Sequence, residues 1–315
     1  MLYWIIPLCV LVFAVLIVLS VSLVCFFKIF YSPKRKPVGD DEYPTPAGRI
    51  YDAHREQMVQ WIKDIRAMER TDVSITSYDG LKLCGKYYEY KKGAPIEILF
   101  HGYRGTAERD LCGGVYRCFE LGRNALIVDH RSSGNSEGHV ITFGAKESRD
   151  CLDWIDFAIN NIDKDAKIII TGISMGAATV MTAAGKKLPE NVVGVLADCG
   201  YTSTKEIVKK VMQDMKLPAN ILYPFARLSA IIFGGFDPDK DSPIKSMKEC
   251  RLPIIFFHGD VDAYVPCSMS EQNYAACASE YKRLVITKGA GHGLCFPVDT
   301  EEYFKEVRAF FDPYL

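Results

Sequence analysis

The chain has 315 residues, 49% of them apolar and 24% charged, which is enough for a large core and outside the ranges of disordered, collagenous or many-span membrane proteins. Lys and Arg number 38 against 39 Asp and Glu, a net charge of -1, so there is no electrostatic excess to hold a nucleic-acid backbone. The cysteines number 11, an odd count without CxxC pairs or regular spacing, and read as reduced, mostly buried thiols rather than a disulfide or zinc framework.

No charged side chain occurs over residues 1–27, a run longer than the roughly 20 apolar residues a helix needs to cross a bilayer. A cleaved signal peptide is the alternative reading, but Met1-Leu2-Tyr3-Trp4 supplies no basic leader, so the segment is read as a single-pass anchor. Lys28, Lys34, Arg35 and Lys36 follow the span and nothing basic precedes it. The positive-inside rule then puts the remainder of the chain on the cytoplasmic face, in agreement with reduced cysteines. Residues 28–48 contain Ser32-Pro33-Lys34-Arg35-Lys36-Pro37 and Tyr43-Pro44-Thr45-Pro46 and read as a basic, Pro-rich tether, extended and unpacked.

The folded domain spans 49–315. Its first element, over 51–70, carries Met58, Trp61, Ile62, Ile65 and Met68 at three- and four-residue spacings, the stripe of an amphipathic helix. Asp79-Gly80 between two short strand patterns predicts an antiparallel hairpin. Six apolar runs follow, at 96–100, 125–128, 167–171, 192–196, 253–257 and 284–287, separated by helix-length segments and closed by an amphipathic segment at 301–311. Continuous apolar strands alternating with helices predict an α/β fold, a mostly parallel sheet with helices on both faces, whose active residues gather at the carboxyl ends of the strands.

At one such end stands Gly172-Ile173-Ser174-Met175-Gly176, followed by small, helix-compatible residues. A serine on a tight strand-to-helix turn needs its neighbours stripped of side chains, which Gly172 and Gly176 accomplish. The hydroxyl is a weak nucleophile without a base. Among six histidines, His292, in Gly289-Ala290-Gly291-His292-Gly293 beyond the last strand, is the best placed. A carboxylate must orient that histidine. The strand end Phe257-His258-Gly259-Asp260-Val261-Asp262 offers Asp260 and Asp262.

With these residues in view the chain resembles the α/β-hydrolase superfamily, and within it the serine-hydrolase branch with aminopeptidase-like and cinnamoyl-esterase-like members. The branch pattern of His-Gly, two residues, Asp, two residues and Val-Pro fits Asp262 and leaves Asp260 as a spacer, and the order Ser174, Asp262, His292 is the order of that fold. By the same resemblance His101-Gly102-Tyr103-Arg104-Gly105 is the oxyanion loop, with the Tyr103 and Met175 backbone N–H groups as donors and His101 holding the loop in shape. Asp129-His130-Arg131 through Gly138 resembles a structural loop of the family. The insertion at about 204–241 falls where the fold carries its lid, and Leu222, Tyr223, Phe225, Ile232 and Phe233 are read as acyl-pocket wall, with plain core packing as the alternative.

The resemblance implies a membrane-tethered serine hydrolase acting on a small acyl ester or thioester, with an aminopeptidase-like activity on a peptide-like substrate, or a silent scaffold, as alternatives. No HExxH, GxxxxGK[ST] or strand-linked GxGxxG occurs, so no metal or nucleotide cofactor is expected.

Overall fold

The computed structural model describes residues 2–34 and 38–315, backbone only at residues 2 and 3; Met1 and, in the expected basic collar, Arg35, Lys36 and Pro37 lie outside the described residues. An apolar helix, α1 (Leu2–Cys25), leads into a π-helical turn at Phe26–Phe30, so the helical run continues past the boundary expected at residue 27. After α2 (Arg55–Ala67) come β1 (Thr71–Thr76), β2 (Lys82–Tyr88), β3 (Ile96–Phe100), α3 (Ala107–Glu120), β4 (Asn124–Val128), α4 (Glu147–Phe157) and β5 (Ile168–Ile173). There follow α5 (Met175–Ala184), β6 (Val192–Asp198), α6 (Thr204–Asp214), α7 (Ala219–Gly234) and α8 (Pro243–Met247). The chain closes with β7 (Ile254–Gly259), α9 (Cys267–Ala276), β8 (Lys282–Thr287), α10 (Cys295–Val298) and α11 (Thr300–Phe311).

The eight strands form one sheet in the order β1-β2-β4-β3-β5-β6-β7-β8, with β2 antiparallel to both neighbours and the rest parallel. Period-two alternation sorts the strand side chains into two cores. Ile98, Phe100, Ile168, Ile170 and Phe256 pack with Trp154 of α4 and Ala177 and Val180 of α5. Leu99, Ile127, Ile169 and Phe257 pack with Trp61 and Ile65 of α2, Val115 of α3 and Phe311 of α11. Glu97, fully buried in β3, is held by Arg117, Arg123 at 3.1 Å and the Thr171 hydroxyl at 2.7 Å, which together offset the cost of a carboxylate in the core.

Among the described residues, a third core contains none from the strands. Cys25, Phe26 and Phe30 of the apolar run are buried with Ile141, Phe143, Tyr201, Met175 and the α7 residues Tyr223, Ala226 and Ala230. The expected unpacked tether is corrected here. Tyr31 pairs with Val140 in an antiparallel bridge, Ser32 N–H donates to His139 O at 2.9 Å and Ile141 N–H to Phe30 O at 2.8 Å. Farther along, Tyr43 lies under Lys63 and Arg66 of α2, and Arg55 donates to Thr45 Oγ1 at 2.6 Å. Among the described residues of the segment, Phe30, Tyr31 and Tyr43 find partners on the domain.

Candidate active site

Six loops leave the carboxyl ends of the parallel strands, and three of them bring Ser174, Asp262 and His292 together. Ser174 sits between β5 and α5 at φ 56° and ψ -113°, a conformation costly for a side-chain-bearing residue and held by its surroundings. Its N–H donates to Asp198 O at 2.8 Å. A Cβ on Gly172 would stand 2.1 Å from the Gly176 carbonyl, and one on Gly176 would stand 2.0 Å from Phe100 O, so the turn admits only glycine at both places.

Ser174 Oγ lies 2.9 Å from His292 Nε2, and His292 Nδ1 lies 2.7 Å from Asp262 Oδ2. The other Asp262 oxygen accepts the N–H groups of Tyr264 at 2.8 Å and Val265 at 2.9 Å. Burial alone would raise the Asp262 pKa, but hydrogen bonds from His258, His292 and the Val265 backbone outweigh it and hold the carboxyl well below the usual carboxylate range. The residue therefore stays ionised beside His292. Asp260 points elsewhere, and its Oδ1 accepts the Gly289 N–H at 2.7 Å, stapling the turn ahead of His292.

The loop after β3 closes over the serine, and a Cβ on Gly102 would come within 3.6 Å of Ser174 Cβ. His101 is buried, its Nδ1 2.7 Å from Gly102 O and its Nε2 accepting the His130 N–H at 3.0 Å. Tyr103 stacks on Phe143 at 5.0 Å and donates its hydroxyl to Ile29 O at 2.7 Å. Arg104, at φ 51°, donates to Lys28 O and Tyr31 O, both at 3.1 Å. The last turn of the apolar run is thus bonded to the loop beside Ser174, a connection absent from any local pattern in the sequence. The Asp129 loop is structural: Asp129 accepts the Ala107 and Asn135 N–H groups, and Arg131 pairs with Asp79 and Asp150.

Of the five residues expected to line an acyl pocket, Tyr223 is buried and Leu222 and Phe225 are half-buried in the core that contains Met175. Ile232 is 49% exposed, and the Phe233 ring rests on Phe26 at 5.7 Å, so these two face outward and toward α1. Two surface clefts, of about 320 and 280 Å³, are lined by Leu152, Lys187 and Pro189 and by Tyr281, Phe310 and Tyr314, away from the carboxyl ends of the strands.

Two buried groups at the site carry roles that sequence reasoning had not assigned. His258 Nε2 lies 3.3 Å from Asp262 Oδ2 and 2.8 Å from Val265 O, with Nδ1 2.6 Å from Ser270 Oγ, so it is a second partner of the carboxylate. Its place behind two core phenylalanines was the available signal. Asp198, at the end of β6, is pushed up to about 6 by burial, which outweighs the opposing influence of His258 and a hydrogen bond from Cys295. The Cys199 thiol, Asp262 and His292 place ligand-type atoms within 4.8 Å of one another. That set shares its carboxylate and imidazole with the relay, and burial pushes the thiol well above its ordinary value, which disfavours the thiolate a metal would take.

The eight-stranded sheet with one antiparallel strand near its edge, the serine turn after β5 and the histidine after β8 define an α/β hydrolase. The profile of the prolyl oligopeptidase family matches residues 141–315, more than half of the chain, and the protein belongs to that family. It is 27% identical over 246 residues to the uncharacterised protein YqkD of Bacillus subtilis, covering 78% of this chain and 80% of that one. Protein bem46 of Schizosaccharomyces pombe is 23% identical over 222 residues, 70% of this chain and 67% of its own. Among solved structures, the Pyrococcus furiosus esterase Pf2001 superposes with a TM-score of 0.66 at 23% identity, covering 89% of this chain and 99% of the esterase.

Proposed function

We propose that the protein is a membrane-tethered serine hydrolase that cleaves a carboxylic ester or thioester through an acyl-enzyme. The observation that carries this reading is the unbroken chain of hydrogen bonds from Ser174 Oγ through His292 to Asp262. Ser174 Oγ attacks the acyl carbon while His292 Nε2 takes its proton; the bond to the leaving oxygen or sulfur breaks and Nε2 returns the proton to it. Water then repeats the cycle and frees the acid. Asp262 holds Nδ1–H and stabilises the imidazolium. The Met175 and Tyr103 N–H groups receive the oxyanion, a role supported by the closeness of the loop to Ser174.

The family match favours one further reading, an amide- or peptide-cleaving activity on the same residues. Both follow from acyl transfer, and the leaving group decides between them. Steady-state kinetics with acyl esters and thioesters of graded chain length beside aminoacyl amides separates them. The expected result is an initial burst and a higher kcat/KM on esters. Faster turnover of amides favours the peptidase reading; no turnover of either by folded protein leaves a silent scaffold. The tether is the apolar helical run Trp4–Phe30, whose mean hydropathy over its best window is 3.2. The basic residues after it favour a catalytic domain on the cytoplasmic side, so protease added to intact cells should leave the domain uncut.

A further inference from the structure

We propose that the outward face of α7 is seated in the surface layer of the bilayer that α1 spans, so that the site draws its acyl substrate from the membrane rather than from water. The proposal rests on the membrane-tether reading above.

The packed stripe of the apolar run is the first constraint. Among the described side chains of α1, the first withdrawn from solvent is Val18, and the stripe continues through Val21, Ser22 and Cys25 and, in the π-helical turn, Phe26, Ile29 and Phe30. The apolar run long enough to cross a bilayer, Trp4–Phe30, includes these protein-contacting turns, so the packed stripe belongs to the same segment that enters the membrane. What packs on those turns lies at the membrane as well.

That partner is α7. Ala226 and Ala230 are fully buried in one cluster with Cys25, Phe26 and Phe30, and the Phe233 ring meets Phe26. Ala226, Ala230 and Gly234 recur every four residues, the small-residue spacing that lets two helices approach closely in lipid. The opposite face of α7 is left uncovered by the described residues. Ile221 is 65% and Ile231 44% exposed, and Pro224, Ile232 and the half-exposed Phe225 and Leu228 lie between and beside them. Arg227, at the margin of this face, is paired with Asp237 at 2.8 Å and Asp239 at 3.4 Å, so its charge is met within the protein. An apolar face continuous with a spanning helix fits lipid better than a protein groove, because α1 fixes its depth and orientation.

The same core contains Met175 beside Ser174 and is joined by Tyr103 of the neighbouring loop. The apolar side chains beside the serine are thus continuous with those of the helix placed at the bilayer, the side from which an acyl chain would be delivered.

The test uses the full chain in phosphatidylcholine vesicles with or without bromine at the upper acyl carbons. In the unaltered protein Trp4, in α1, reports on the anchor. Ile231→Trp should add emission that brominated lipid quenches, while Tyr90→Trp, at the amino-terminal end of the parallel strands, should add emission that it does not. Quenching of Trp4 without quenching of the emission added by Ile231→Trp overturns the proposal and leaves the anchor standing. Loss of both, with extraction of the protein at alkaline pH, overturns the anchor reading and this proposal together.

A second arm addresses access. With the double variant Ile221→Glu and Ile231→Glu, labelling by a vesicle-dissolved long-chain fluorophosphonate should slow about tenfold, since ionised side chains resist burial in lipid, while a water-soluble short-chain analogue labels at the original rate. Equal slowing, or none, with both probes overturns delivery from the membrane.

Discussion

The rear and the front of the site are built on different supports. At the rear, Ser174, Asp262 and His292 hang from the ends of β5, β7 and β8, which the sheet holds in register and two layers of helices bury. At the front, the loop bearing Tyr103 and Arg104 is bonded to Ile29, Lys28 and Tyr31, which belong to the end of the apolar helical run. In the proposed reading bond making falls to the rigid part and oxyanion binding to the loop bonded to the apolar run. That run is thus a structural neighbour of the site as well as the proposed tether.

The largest effect is expected at the rear. Asp262→Asn removes the acceptor for His292 Nδ1 and should lower kcat about 10⁴-fold, the scale on which neutralising a triad carboxylate acts. Asp260→Asn, which alters only the Gly289 staple, should stay within about threefold, since it leaves the relay's own hydrogen bonds in place. The reverse ranking in folded variants breaks the assignment of the carboxylate.

At the front, Arg104→Ala removes two hydrogen bonds to the helix end without touching Ser174, His292 or Asp262. Losing an oxyanion donor outright costs about 10²- to 10³-fold, and loosening the loop that carries one should cost about tenfold, in kcat more than in KM. An Arg104→Lys variant should recover part of it. Unchanged kcat in Arg104→Ala would mean the loop stands without the anchor, and the front would be as self-supporting as the rear.

Much of the rear was legible because its signals are local: an apolar run names a strand, and glycines two residues either side of a serine name a tight turn. The strand runs at 96–100 and 125–128 fall on β3 and β4, and the sequence order of serine, aspartate and histidine matches the geometry. Asp262 was separated from Asp260 by a motif, and the structure shows the physical difference, one facing His292 and the other Gly289. The front was not legible. Ser32, Tyr31 and Phe30 owe their burial to residues around His139 and Phe143, a hundred positions away, and a Pro-rich basic stretch gives no hint of such partners. Ile232 and Phe233 were read as pocket wall, with core packing as the alternative, from their hydropathy and their place in the lid insertion, and neither tells an inward from an outward helix face without the register.

The last effect, on stability rather than rate, sharpens the rear. Asp198 and Asp262 end adjacent strands yet shift in opposite directions. Asp198, raised to about 6 from 3.8, holds its proton more tightly in the folded chain, so its influence makes stability fall as pH rises from about 4 to 6, by up to about 3 kcal/mol. Asp262, depressed, contributes stability above about pH 4 that is lost as pH drops toward its folded value. Melting the full chain in detergent between pH 4.5 and 7.5 should show Asp198→Asn gaining on the unaltered protein as pH rises. A constant gap across that range contradicts the burial argument.

The most direct measurement is covalent labelling by a fluorophosphonate, because only a serine beside its base and facing oxyanion donors reacts quickly with one. The unaltered protein should be labelled on the peptide containing Gly172-Ile173-Ser174-Met175-Gly176. Ser174→Ala should abolish the label and His292→Ala should nearly do so. Folded protein that resists the probe across neutral pH, or a label that survives Ser174→Ala, contradicts the account.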